Sequence, residues 1–140
     1  MKSHCTTVIV ICFLGITACG GNYDGKKTIR NNSSHPLKVL IYKRFPVEIA
    51  RAFSIQPQGE AVVESFTGGK SSPYYGNGKG CGSNGLDSTV IEVIDNNQLE
   101  VAKDLNSTDN WAFSKESNAR GVDTECRATI TDADIVPKSN

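Results

Sequence analysis

The sequence predicts an all-β domain: a mostly antiparallel sandwich or partly closed barrel of six or seven short strands. Three observations carry this. Downstream of residue 18 there are nine Val and eight Ile against five Leu, the bias of pleated strands. Short apolar or alternating runs recur between clusters of Gly, Pro, Asn and Ser, the spacing of strands and turns. No stretch sustains an apolar stripe of period 3.6, and there is neither an internal repeat nor a heptad.

Lys27–Asn31 gives the first strand, and the polar run Asn31–Pro36 turns the chain. Leu37–Lys43 (LKVLIYK) is apolar nearly throughout, which predicts a central strand. Ala50–Ile55 alternates, Gln56-Pro57-Gln58-Gly59 has the composition of a tight turn, and Glu60–Phe66 follows as a strand. Phe53–Phe66 therefore reads as a hairpin-like return.

Ser88–Asp95 and Gln98–Lys103 flank Asn96-Asn97, a pair that tolerates the positive φ of a tight hairpin turn, so a second hairpin is expected there. Glu125–Thr131 is the last predicted strand, with Cys126, Ala128 and Ile130 on one face and Arg127 and Thr129 on the other. Val47–Ala52 and Thr131–Ile135 allow a helical turn at most.

Acidic and basic residues balance at 15 each. Such a chain has no surplus cation to neutralise phosphates, which argues against nucleic-acid binding.

The N-terminus reads MKSHCTTVIVICFLGITAC. Lys2 and the amino group supply positive charge ahead of a mostly apolar run, Thr6–Ile16. That run is too short to cross a hydrocarbon core, which takes roughly 20 helical residues. Residues 1–18 therefore read as a targeting segment. Ile16-Thr17-Ala18-Cys19 resembles the lipobox of bacterial lipoproteins, in which signal peptidase II cuts before a Cys already diacylated on sulfur. The small Thr17 and Ala18 suit a tight protease site, and the Cys19 thiol is the nucleophile that takes the lipid. The resemblance implies an outer-membrane address, since Gly20 stands where an inner-membrane retention Asp would be. It implies palmitate-type acyl chains on Cys19, each buried CH₂ contributing about 0.8 kcal/mol to membrane attachment. The other reading is an ordinary secretory signal with Cys19 incidental. Residues 19–26 are then expected to form a flexible tether, 27–136 the β-domain and 137–140 a tail. The pattern NNSSHPLKVLIYK, FSIQPQGEAVVESF, DSTVIEVIDNNQLEV and ECRATITDADI is similar to small uncharacterised lipoproteins of Bacteroidota; that likeness implies a fold and an address, not an activity.

Cys5 and Cys12 leave with the signal and Cys19 is taken by lipid, so Cys81 and Cys126 remain, an even pair that reads as a disulfide in an exported chain. Closing so long a loop stabilises by about 4 kcal/mol in the chain-entropy view. Metal ligation is disfavoured, because one His (His35) remains and no CxxC is present.

Thr67–Gly85 holds seven of the chain's 13 Gly, a density that points to a loop rather than a strand. Gly80–Gly85 matches G-x-G-x-x-G, but a β-branched run follows where the dinucleotide motif needs a helix. Tyr74, Tyr75 and Lys79 in this loop are the candidate partner-binding residues, suited to a sugar or a protein surface; the bland alternative is a connector with one Tyr packed on the core. His35 reads as a solvated turn residue. Asp123, Glu125, Asp132 and Asp134 lack calcium-site spacing. Trp111 and Phe113, two apart, face one way in an extended chain and are expected to plug one end of the core. Ser88 within Asp87-Ser88-Thr89 resembles an O-glycosylation sequon of Bacteroidota, and a strand-start Ser explains it equally well.

No nucleophile–base pair, metal set or cofactor motif can be assembled from these residues. The functional expectation is an envelope lipoprotein with a non-enzymatic binding or scaffolding domain, held on the membrane by its lipid and meeting an envelope protein or glycan. The alternative is a periplasmic inhibitor of a hydrolase such as lysozyme or a protease, with the Tyr74–Lys79 loop entering the active site.

Overall fold

The computed structural model describes residues 22–43, 47–69, 81, 88–118 and 121–139. Nine strands form among them: β1 (Asn22–Asn31), β2 (Leu37–Lys43), β3 (Glu48–Ile55), β4 (Glu60–Gly69), β5 (Ser88–Val93), β6 (Leu99–Val101), β7 (Ala112–Asn118), β8 (Gly121–Ile130) and β9 (Ile135–Pro137). They build a four-stranded sheet, β4-β1-β8-β7, and a five-stranded sheet, β3-β2-β5-β6-β9. The two pack face to face on one core as an open sandwich; no pairing among the described residues closes them into a barrel.

Alternation explains the sheet faces. Along β8, Thr124, Cys126, Ala128 and Ile130 are buried, while Asp123, Glu125, Arg127 and Thr129 stand on the outer side. β1 runs parallel to β8, with Gly25 opposite Thr124, Lys27 opposite Cys126 and Ile29 opposite Ala128, so those β1 residues face inward as well. β2 lies between β3 and β5, and its Leu37, Val39 and Ile41 meet the core. Leu40 is buried on the opposite face, as expected for an inner strand with apolar residues on both sides.

One end of the sandwich is fastened by a buried amide. Asn31 Nδ2 donates to the carbonyls of His35 (2.8 Å) and Ile55 (3.1 Å), while its Oδ1 accepts from Ser33 N (3.0 Å) and Ser33 Oγ (2.6 Å). This ties the end of β1, the following turn and the end of β3 together with each of those polar groups satisfied. The opposite end collects the start of β1, the starts of β3, β5 and β8, and the ends of β2, β4 and β7.

Several expectations change. Residues 22–26, read as tether, are the first half of β1. β1 has no apolar alternation there; it is held by pairing with β4 and β8, which sequence periodicity does not register. Phe53–Phe66 is not a hairpin. Its turn carries the chain from β3 in one sheet to β4 in the other, so the two strands pair with different neighbours. β5 and β6 do pair antiparallel, with Glu92 opposite Glu100, but the connection is wider than a two-residue turn. Leu99 N donates to Asn96 O and Gln98 N to Asn96 Oδ1, and neither Asn96 nor Asn97 has positive φ. Most of Val47–Ala52 is strand rather than helical turn, while Asp132–Asp134 does form one 3-10 turn and Thr108–Asn110 another. β7 was hidden because it is an exposed edge: Ala112 to Ser117 are all largely exposed, those on the inner side included, so no apolar alternation marks it.

Candidate binding cleft

At the Asn22 end of the four-stranded sheet all four strands contribute to a cleft of about 470 Å³. β1 supplies Asp24, Gly25 and Lys26; β4 supplies Ser65, Phe66 and Thr67; β7 supplies Ser114 and Glu116; β8 supplies Asp123, Thr124 and Glu125. Register explains this convergence. Lys26 is opposite both Ser65 and Glu125, Ser114 is opposite Glu125, and Glu116 is opposite Asp123, so these outward side chains form adjacent rows. Gly25 lies opposite Phe66 and Thr124. A Cβ at Gly25 would collide with the Phe66 ring and come within 2.7 Å of Thr124 Oγ1, so glycine is what lets the ring lie across the strand.

The lining is polar and anionic apart from Lys26 and the Phe66 ring. Glu125 accepts from Arg127 Nη2 at 2.9 Å and Nε at 3.2 Å, and Lys26 Nζ stands 3.6 Å away. Burial pushes the Glu125 carboxyl up, but the Arg127 hydrogen bonds and the two cations outweigh it and hold the group below its ordinary range. It is therefore ionised at neutral pH, a fixed acceptor on the cleft floor.

Beneath the cleft, Lys27 points into the core with 3 % of its surface exposed. Its Nζ stands 4.4 Å from the centre of the Trp111 ring. A bulge in the β1–β4 pairing sets Glu64 opposite Lys27. Burial pulls the ammonium below its usual basicity, and the Glu64 charge opposes this only in part. Trp111 is buried and donates from Nε1 to Leu105 O at 2.9 Å; Phe113, opposite Cys126 on the same inner side, is 36 % exposed at the sheet edge. The ring plugging the core is thus Trp111, with Phe113 at the rim.

Cys81 and Cys126 are joined in a disulfide, with Cα atoms 5.7 Å apart, pinning the chain after β4 to the inner face of β8. Cys19, Tyr74, Tyr75 and Lys79 lie outside the described residues, as does all of the Gly-rich loop from Lys70 to Gly85 except Cys81. Ser88 starts β5. His35 has a carboxylate partner sixty positions away: Nδ1 is 3.1 Å from both oxygens of Asp95. The four acidic residues near the C-terminus do not converge. Asp132 accepts from Ser34, Asp134 from Thr131 and Lys103, and Asp123 and Glu125 belong to the cleft. Among the described residues no three His, Cys, Asp or Glu are grouped to hold a metal ion. No helix among them is long and apolar enough to cross a membrane.

The fold and this site define a two-sheet β-sandwich with a polar cleft at one end. Comparison with protein-family models, with curated proteins and with solved structures finds no match to the chain. Sequence reasoning missed the cleft because its residues come from four separated segments, each polar and ordinary by itself. The one local hint was Gly25 inside a strand, which marks a close approach.

Proposed function

We propose that the chain is a lipid-anchored envelope protein whose sandwich is a non-catalytic binding module, and that the cleft takes a polar glycan segment. The observation that carries the glycan reading is the lining of the cleft: the hydroxyls of Ser65, Thr67, Ser114 and Thr124, the carboxylates of Asp24, Glu116, Asp123 and Glu125, and one aromatic ring, Phe66, on a four-strand floor. Carboxylates and hydroxyls exchange hydrogen bonds with sugar hydroxyls, and the apolar C–H face of a pyranose packs on an aromatic ring. An apolar ligand would desolvate these polar groups and offer them no hydrogen bonds in return for water.

The test is titration of isotope-labelled protein with soluble cell-wall glycan fragments. Amide shifts confined to 24–26, 65–67, 114–116 and 123–125 are expected, and Ser114→Ala with Glu116→Gln is expected to weaken them without altering thermal stability. Shifts elsewhere, or none at millimolar glycan, would overturn the glycan reading. The anchor is tested separately by intact mass: Cys19→Ser is expected to abolish acylation and leave the targeting segment uncut.

A further inference from the structure

The start of β1 fixes how this domain meets a membrane. Only residues 20 and 21 separate Cys19 from Asn22, where the strand begins. Three steps of extended chain span no more than about 11 Å. The inference rests on the anchor reading: with lipid on Cys19, the Asn22 end of the sandwich stands at the headgroups.

That end carries an uncovered apolar corner. Val47 is 79 % exposed just before β3, and Ile49 is 52 % exposed within it. Tyr42 is opposite Ile49 and Ser88, and in the next row the exposed Ala52 and Val90, 43 % exposed, flank the buried Leu40. The corner thus runs from the end of the sandwich onto the outer face of the five-stranded sheet. Packed sheets lie about 10 Å apart, and the corner lies at the same end of the sandwich as the start of β1, on the facing sheet. On the other sheet, the same end presents Asp24, Glu116 and Asp123. That side sets three carboxylates against Lys26, whereas the corner holds one acid, Glu48, between Val47 and Ile49, so an anionic lipid surface repels the cleft side more than the corner.

We infer that the domain docks on the bilayer through the Val47–Ile49 corner, tilted so that the acidic cleft stays clear of the surface. The anchor makes docking nearly intramolecular, so a small apolar contact suffices to fix the orientation.

The test uses the acylated full-length chain in vesicles of phosphatidylethanolamine and phosphatidylglycerol bearing brominated acyl chains. Val47→Trp reports the corner and Gln58→Trp the far end, while the native Trp111 is buried and common to both. Bromolipid is expected to quench the Val47→Trp emission and to leave that of Gln58→Trp unchanged. The double variant Val47→Asp with Ile49→Asp is expected to stay on the vesicles through its lipid yet expose the amides of 47–52 to exchange. Equal quenching at both reporters, with acylated Cys19 confirmed by mass, overturns the docking and leaves the anchor standing. A blue-shifted but unquenched Val47→Trp means that protein, a second copy included, covers the corner, and overturns it too. Absence of acyl mass overturns the anchor and the docking together.

Discussion

The ammonium of Lys27 lies 4.4 Å from the centre of the Trp111 ring, inside the sandwich. A cation over an aromatic face gains about 0.5–2 kcal/mol, while burial pulls the ammonium below its usual basicity of 10.5 against the opposing charge of Glu64.

The unfolded chain therefore binds this proton more tightly than the folded one. Stability should rise with pH between the lowered folded value and 10.5. Lys27→Met is expected to remove that rise and to add about 1 kcal/mol at neutral pH. Denaturant titrations from neutral pH upward, followed by the emission of the single Trp, check both. A variant profile parallel to the parent's would assign the slope to another group.

The reverse sign applies to Asp134. Burial pushes its carboxyl up, but the Thr131 amide, 2.8 Å away, the Lys103 ammonium and the Thr131 hydroxyl hold it below 3.8. Its contribution is full above the unfolded value and disappears as pH falls through the folded one. Asp134→Asn should cost about 1–2 kcal/mol near neutral pH, with the gap closing below pH 3.8. Acid unfolding midpoints of the two proteins measure this directly.

The turn from β3 to β4 holds its strain at Gln58, which has φ 62°. Pro57 fits the first central position, Gly59 N donates to Gln56 O at 2.9 Å, and the left-handed position falls to a residue with a side chain. Gln58→Gly is expected to stabilise by about 0.5–1 kcal/mol, the relief of φ exceeding the added chain entropy. Gln58→Ala should bring no gain. Thermal melts of the pair separate the two.

Reduction of the Cys81–Cys126 bridge should lower stability by about 3–4 kcal/mol, because the freed unfolded chain regains the entropy of a long loop. Both sulfurs are buried, so reductant should act only through opening of the sandwich. Thiol alkylation rates at increasing urea should rise together with unfolding. Rapid alkylation in the native buffer would contradict this.

The sequence by itself determined the class of fold and much of its grain. β-Branched bias predicted strands, the nearly continuous apolar run of β2 predicted an inner strand, and alternation in β8 assigned Cys126, Ala128 and Ile130 to one face. These are local properties, written in periods of two residues. Partnership was decided only in three dimensions. Periodicity is silent on which strand lies beside which, so it did not show β1 beside β8, Glu64 set opposite Lys27 by a bulge, or β3 and β4 parting into different sheets. Burial of a charged lysine depends on the ring above it, and a cleft built from four polar segments exists only where register aligns them. Such features arise from contacts between residues far apart in the chain, whose energy no local pattern encodes.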